Sequence, residues 1–193
     1  MLNENFVILG ALLNVIGTIS YLIQTIQGKV KPNRVTWGLW ALAPLIVFIA
    51  EIKQGVGIQS LMTLILGFNP LMVFLASFVN KKSFWKLGYL DIICAILSLS
   101  GLILWYLTKI GNVAIIFSIL ADGLAAVPTM AKSWCAPETE DYKVFLLTAI
   151  SAMITLLTVK IWTLAYYGFP TYVFLICLVM FVLIKFRIGK RFK

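Results

Sequence analysis

The chain has 193 residues, 62% of them hydrophobic and 12% charged, with a mean hydropathy of +1.01 and a formal net charge of +9. Soluble domains are roughly half apolar and about a quarter charged, so this composition excludes a soluble globular protein and indicates an integral membrane protein. The sequence contains no histidine, which excludes Ser-His-Asp and Cys-His catalysis and metal sites built on imidazole.

Seven apolar segments follow one another along the chain, each close to the roughly 20 residues that a helix needs to cross a bilayer. They cover residues 5–27, 33–53, 57–80, 87–108, 112–133, 142–164 and 168–187. The connecting loops are too short for a soluble catalytic domain. We therefore predict an all-α integral membrane protein with seven transmembrane helices, and we expect no enzymatic activity, no cofactor and no metal. The first segment lacks a basic n-region, so we expect a retained helix and not a cleaved signal peptide.

Basic residues cluster at alternate ends of these segments and predict the orientation, because Lys and Arg are retained on the cytoplasmic side. With the N-terminus outside, three cations face outward: Lys53, Lys109 and Lys160. The other thirteen face inward: Lys29, Lys31, Arg34, Lys81, Lys82, Lys86, Lys132, Lys143, Lys185, Arg187, Lys190, Arg191 and Lys193. We predict a multi-pass protein of the cell membrane with a cytoplasmic C-terminus. The positive charge fits anionic lipid headgroups, so nucleic acid is not expected as a partner.

The first and fifth predicted helices each carry a stripe of small and polar side chains at spacings of three and four residues, which places them on one helical face. In the first helix the stripe consists of Gly10, Asn14, Gly17, Tyr21, Gln24 and Gly28. In the fifth it consists of Ser118, Asp122, Ala125, Thr129 and Lys132. Small residues allow membrane helices to pack closely, and polar side chains hydrogen-bond between helices. The stripes are therefore either packing surfaces or the walls of a polar passage.

Prolines lie inside the second, third and fifth predicted helices, at Pro44, Pro70 and Pro128. Each proline removes a backbone hydrogen bond and allows a bend, which suits alternating access, although static membrane helices also contain prolines. Trp40, also in the second helix, lies deeper than Trp37. Trp40 is therefore the better candidate for stacking on a substrate ring, with packing or interfacial anchoring as the alternatives.

Asp122 lies near the middle of the fifth segment, where an ionised carboxylate costs roughly 2.5–3.5 kcal/mol even on an insertion scale. No cation of the predicted segments lies at the same depth. The carboxyl group is therefore protonated, hydrated in a cavity, or hydrogen-bonded to neighbours such as Asn14 or Asn69. A purely structural role and a role in carrying a proton or binding substrate both fit this position.

An internal repeat is suggested by aligning Pro32 with Pro137, which gives an offset of 105 residues and matches Gly17 with Asp122. The predicted helices form two triplets of equal orientation, joined by a fourth helix. This arrangement divides the chain into a first triple-helix bundle (1–84), a linker helix (85–110) and a second triple-helix bundle with a basic cytoplasmic tail (111–193). Repeats of this kind are typical of transporters with a central site.

In this architecture the chain resembles the PQ-loop and SWEET group of seven-helix membrane transporters. The Pro-Gln pairs of that group correspond here to Ile23-Gln24 and to Pro128-Thr129, each of which keeps one of the two residues. The resemblance implies a hinge at Pro128. It also implies that Asn69 of the third helix contacts substrate, but residues 168–187 contain no second asparagine. Sugar specificity is therefore not implied.

Two functions follow as expectations. The first is a transporter for a small polar or cationic metabolite of the sugar, amino acid or vitamin class, working by alternating access with or without proton coupling. Its expected substrate-binding residues are Asn14, Gln24, Trp40, Asn69 and Thr129, with Asp122 for proton coupling and Pro128, Pro44 and Pro70 as hinges. The alternative is a non-transporting membrane receptor or assembly subunit. The expected partners are the lipid bilayer and a small-molecule substrate. The sequence allows either a monomer or a homo-oligomer.

The topology is directly testable. Because the inner cations outnumber the outer ones by thirteen to three, a reporter fused after Lys193 should read cytoplasmic and one fused before Asn3 should read external. An external C-terminus would contradict both the helix count and the resemblance.

Overall fold

A computed structural model of the chain describes residues 2–83, 85–108 and 110–191, without the side chains of residues 101, 104, 105 and 108. Within these ranges the regular structure is entirely helical. Lys109 and Lys193, which were counted among the cations above, lie outside the described residues.

Seven long helices and two short ones make up the described part of the chain. They are α1 (Phe6–Ile26), α2 (Arg34–Lys53), α3 (Ser60–Ala76), α4 (Tyr89–Thr108), α5 (Gly111–Cys135), a 3-10 turn (Pro137–Thr139), α6 (Tyr142–Thr158), α7 (Leu164–Lys185) and α8 (Ile188–Arg191). Each predicted segment overlaps one of α1 to α7. The prediction fails most at the end of α6, because the loop that follows contains exposed apolar residues, Ile161 and Trp162. Their hydropathy extended the predicted segment to residue 164.

Four helices, α1, α2, α5 and α7, are long and apolar enough to cross a membrane. The 17-residue helices α3 and α6 and the Tyr89–Ser100 part of α4 are apolar but shorter. The outer faces of the helices carry exposed apolar side chains, such as Leu12 and Ile16 of α1, which are 55% and 58% exposed. Exposed apolar faces of this kind are suited to lipid, so the protein is a helical membrane protein.

Two helices begin at side-chain caps that occupy equivalent places in the chain. The Asn33 side chain accepts hydrogen bonds from the backbone N–H groups of Val35 and Thr36 at the start of α2. The Asp141 side chain accepts one from the Lys143 N–H at the start of α6. Such caps satisfy N–H groups that have no partner inside the helix.

Six of the helices form a ring. Each helix contacts the next in the order α1, α3, α2, α5, α7, α6 and back to α1. The remaining long helix, α4, packs mainly against α5, with a smaller contact to α2. We call the end of the ring at the α1–α2 and α5–α6 loops the inner end, because the charge pattern predicts that it faces the cytoplasm.

The α1–α6 contact depends on two glycines of the predicted α1 stripe. A Cβ atom on Gly17 would lie 3.2 Å from Leu147 Cβ and 3.3 Å from Val144 Cα. A Cβ atom on Gly10 would lie 3.2 Å from the Ser151 carbonyl oxygen. The backbones of α1 and α6 therefore approach as closely as they do because these positions carry no side chain.

Gly17→Leu should push α1 away from α6 and lower the free energy of unfolding by about 1–3 kcal/mol, as overpacking of a filled contact does. Reversible denaturation in detergent micelles measures the change. Gly38→Leu is the matched control, because a Cβ there meets only Phe74 at 3.5 Å, beside an open groove between α2, α3 and α4. Equal losses in the two variants would contradict this account of the α1–α6 contact.

Candidate functional site

The ring encloses a cavity. The centre of a water molecule could occupy a volume of about 70 Å³ within it. All six ring helices contribute to its wall. The polar lining residues are Asn14, Thr18, Asn69, Asp122 and Thr148, and the aromatic ones are Trp37, Trp40, Phe145 and Phe169. Asn14 and Asp122 lie near the middle of α1 and α5, so the cavity lies at mid-depth in the bundle.

One side of the cavity is a chain of hydrogen bonds that joins three helices. The Asn69 amide donates to Asn14 Oδ1 at 2.6 Å, and the Asn14 amide donates to Thr148 Oγ1 at 2.9 Å. The Thr148 hydroxyl in turn donates to the Val144 carbonyl oxygen at 2.7 Å. These bonds fix α3, α1 and α6 to one another, and each amide already uses a donor within the protein.

Asp122 forms the opposite side of the cavity and is only 6% exposed. Its Oδ2 accepts a hydrogen bond of 2.8 Å from the Tyr172 hydroxyl of α7. The Trp40 indole donates to the Asp122 carbonyl oxygen at 3.2 Å. Asp122 takes part in none of the three ion pairs found among the described residues. The carboxyl group is therefore buried, with a hydroxyl as its hydrogen-bond partner and no cationic side chain paired with it.

The partner of Asp122 differs from the expected one. A hydrogen bond to a neighbour such as Asn14 or Asn69 was one of the three alternatives for Asp122, but these two residues bond to each other, and the partner is Tyr172. The sequence pattern did not single out Tyr172, because it lies in an apolar run where aromatic residues usually pack. The sequence did contain a signal for this role: Tyr172 carries a hydroxyl group and lies three positions after Phe169, on the same helical face.

The contacts also correct the internal alignment. Thr148 and Trp40, which lie 108 residues apart, bond to Asn14 and Asp122, which are also 108 residues apart. The two caps, Asn33 and Asp141, have the same separation. The contacts therefore favour an offset of 108 residues and match Asp122 with Asn14, not with Gly17. The two offsets differ by three residues because Pro32 directly precedes a cap, whereas Pro137 begins a 3-10 turn four residues before one.

The inner end of the ring is closed by a cluster of Lys132, Glu140 and Tyr21, which we call the inner cluster. Lys132 and Glu140 form an ion pair in which neither side chain is exposed. The Tyr21 hydroxyl donates to Glu140 Oε2 at 2.6 Å, and Lys132 Nζ donates to the Lys31 carbonyl oxygen at 2.5 Å. The Trp37 ring lies 4.6 Å from the Tyr21 ring and separates the cluster from the cavity.

Two residues expected to bind substrate lie outside the cavity. Gln24 Nε2 donates to Asp141 Oδ2 at 2.5 Å, so Gln24 joins α1 to the cap of α6. The Thr129 hydroxyl donates to Thr36 Oγ1 at 2.9 Å, so Thr129 joins α5 to α2. Gln24 lies about three turns nearer the inner end than Asn14, and Thr129 lies about two turns nearer than Asp122. The cavity therefore includes Asn14, Trp40, Asn69 and Asp122 of the expected site, together with Pro44 and Pro70, while the third expected hinge, Pro128, is buried within α5.

Glu140 and Glu51 are buried acidic residues that the sequence did not lead us to expect. Glu140 was not singled out, because an acidic residue in a short loop usually faces water. Glu51, near the outer end of α2, is 2% exposed and accepts a hydrogen bond from the Thr63 hydroxyl at 3.0 Å. Lys132 was assigned to the inner interface, but its position on the α5 stripe, ten residues after Asp122, was a signal for burial.

No protein-family model, curated protein or solved structure matches this chain. Among the described residues, no group of three or more His, Cys, Asp or Glu side chains is placed to hold a metal ion. Function is therefore inferred from the cavity and from the buried charges.

The inner cluster makes a quantitative prediction. Glu140→Gln leaves Lys132 charged and buried without its partner, so it should lower the free energy of unfolding by about 3–5 kcal/mol. Adding Lys132→Met should restore most of that loss, because the unpaired ammonium group is then removed. Denaturation of the two single variants and the double variant measures the coupling. The exposed pair of Lys190 and Glu138 is the control, and Glu138→Gln should cost less than about 1 kcal/mol.

Proposed function

We propose that the protein is a multi-pass membrane transporter that moves a small polar or cationic metabolite by alternating access. The observation that carries this proposal is the mid-depth cavity, which is enclosed by six helices and lined by a carboxyl group, amides and aromatic rings. A cavity with these features is the general form of a small-molecule site. In a membrane protein it lies where a transported molecule passes the centre of the bilayer.

We also propose that all seven long helices cross the membrane. The helices α1 to α3 form one triplet, α5 to α7 form the other, and α4 links them. The ring contacts support this arrangement, because α1 meets α6 as α5 meets α2, which is the pairing that a two-fold relation between the triplets requires. The equal separation of 108 residues between paired polar residues is a second support. A PQ-loop and SWEET-like architecture is consistent with both features.

The inner cluster is suited to a closure that opens and closes. Lys132 lies on α5, Glu140 precedes α6 and Tyr21 lies on α1, so the cluster joins parts of both triplets. When an ion pair is buried, the free energy lost by removing its charges from water is about as large as the free energy gained from their attraction. Opening the inner end returns the two charges to water, so the closed and open states differ little in free energy. An all-apolar closure would instead expose apolar surface when it opened.

The hinge proposal concerns α5. Pro128 lies between Asp122 in the cavity and Lys132 in the inner cluster, and it cannot donate a hydrogen bond to the carbonyl of residue 124. A bend at Pro128 would move Lys132 relative to Asp122. Pro44 and Pro70 line the cavity and allow the facing helices to bend in the same region.

A receptor or assembly subunit on the same scaffold is the alternative. The mutual hydrogen bonds of Asn14, Asn69 and Thr148 favour it, because a centre whose polar groups bond to one another is stable without a ligand. The two functions differ in whether the cavity opens.

The transport proposal is tested in proteoliposomes. Ligands found by thermal shift across a metabolite panel are offered with and without an imposed pH gradient. Wild type should accumulate at least one of them, and the pH gradient should raise its uptake. Asp122→Asn keeps the shape of the side chain but cannot ionise, so it should lose the response to pH, and the downhill exchange that remains should require a higher ligand concentration. Glu138→Gln, at an exposed site, is the control and should behave as wild type.

Two outcomes would contradict this proposal. If no ligand that binds is ever taken up, the protein is a receptor or a subunit. If Asp122→Asn responds to the pH gradient as wild type does, Asp122 is a structural residue.

A further inference from the structure

We propose that the cavity binds a small organic monocation of the alkylammonium type, and that Asp122 holds this cation in exchange for a proton. This inference rests on the proposed function and names the substrate class of the same site. It follows from four features of the cavity: its single carboxyl group, its aromatic wall, the engagement of its amides and its size.

The first feature is the charge of Asp122. The titratable groups that face it are Tyr172 and Cys177 of α7, and neither is a cation. From α2 the facing polar group is the Trp40 indole, which bonds to the Asp122 backbone. From α4 it is Ser98, which bonds to the neighbouring Ala121 carbonyl oxygen. The described helices around Asp122 thus offer hydroxyl, thiol and indole groups, and the positive charge that an ionised carboxylate needs must come from a ligand or a proton.

The second feature is the aromatic wall. The Trp37 and Trp40 rings meet edge to face, with centroids 5.5 Å apart, and the Trp40 and Phe145 rings do the same at 6.1 Å. Phe169 of α7 lines the cavity as well. Aromatic faces attract cations through the ring quadrupole, most strongly where water is excluded. A carboxyl group beside several rings is the chemistry that recognises an ammonium ion.

The third feature is that the amides of the cavity are already engaged. A sugar or another polyol binds through many hydrogen bonds, which Asn14, Asn69 and Thr148 would have to supply. Each of these side chains donates to another protein group instead. Each amide then has one N–H left for a ligand, which is few for a polyol with several hydroxyl groups, whereas a cation needs only one carboxylate and apolar contact.

The fourth feature is size. One water molecule needs roughly 10–15 Å³ of space measured by the position of its centre. The cavity offers about 70 Å³ by that measure, which is space for a compact group of a few heavy atoms. Tetramethylammonium, a cation with five heavy atoms, is of this size.

Exchange follows from competition for one carboxyl group. When the cation enters, the O–H bond of Asp122 breaks and its proton leaves to water on the side from which the cation came. When the cation leaves, a proton from the other side returns to the carboxylate. The dry centre accepts one positive charge at a time, so cation and proton move in opposite directions.

The test is isothermal titration calorimetry of the full chain in lipid nanodiscs, at constant ionic strength. The probes are tetramethylammonium, its neutral analogue tert-butanol, and glucose. Tetramethylammonium should bind at least 10-fold more tightly than tert-butanol at pH 8, and its affinity should fall at pH 5, where protons compete. Titrations in buffers of different ionisation enthalpy should show that binding of the cation releases protons.

Variants locate the site. Asp122→Asn should weaken tetramethylammonium binding at least 10-fold and abolish its pH dependence, while Asp122→Glu, which keeps the charge, should retain both. Trp40→Leu should weaken binding of the cation more than that of tert-butanol. Glu138→Gln removes a carboxylate at an exposed site and should change nothing. If Asp122→Asn does not fold, the Asp122→Glu and Trp40→Leu comparisons and the proton release decide the question.

Equal affinity for tetramethylammonium and tert-butanol, tighter binding of glucose, or cation binding that survives Asp122→Asn would overturn the assignment. Binding is measured without flux, so the two proposals fail separately. If the protein takes up a neutral substrate and does not bind the cation, the cation proposal fails and the protein is a transporter of another substrate class. Cation binding without any exchange would leave a cation site in a protein that does not transport.

Discussion

The scarcity of water inside a membrane-spanning bundle is the constraint on which this structure depends, because a buried polar group that lacks a partner inside the protein costs several kcal/mol. Asn14, Asn69 and Thr148 meet this requirement through one another, and Asp122 meets it through Tyr172. Lys132 and Glu140 meet it as a fully buried ion pair. These contacts hold the ring together, and they lie on the faces that surround the cavity and its inner closure. The stabilising polar contacts and the candidate site are therefore largely the same residues.

The α5 helix connects the two parts of this arrangement. It carries Asp122 in the cavity, Pro128 about two turns further on and Lys132 in the inner cluster. In the proposed cycle, a change in charge at the Asp122 carboxyl group acts on its hydrogen bond with Tyr172 of α7, while Trp40 of α2 bonds to the backbone of the same residue. Because α5 lacks one backbone hydrogen bond at Pro128, such a change can move its inner part without moving the whole helix. In the proposed transport cycle, this is how occupancy of the cavity is coupled to closure of the inner end.

The seven apolar segments could be predicted from the sequence, because hydropathy and helix length depend on local composition. Helical periodicity placed Asn14 and Asp122 on the faces that meet at this space, whereas Trp40 was selected by its depth and Asn69 by the resemblance. The partners of these residues could not be predicted, since they depend on which helices are neighbours. Tyr172 lies in an apolar run, and Glu140 lies in a loop that is polar in any arrangement. Gln24 and Thr129 were expected in the cavity because they share its stripes, but a stripe runs the full length of a helix, and these two lie at its inner end.

The account depends on the cavity opening to both sides of the membrane, and native Cys177, which lines it, is a reporter for this. With Cys94→Ala and Cys135→Ser in place, a membrane-impermeant methanethiosulfonate reagent is added to one side of oriented proteoliposomes at a time. The account predicts that Cys177 is modified from the outside and, in a separate sample, from the inside, and that Asp122→Asn changes the ratio of the two rates. Cys177 that stays unmodified from either side for hours, while the unfolded protein reacts to completion, would contradict it.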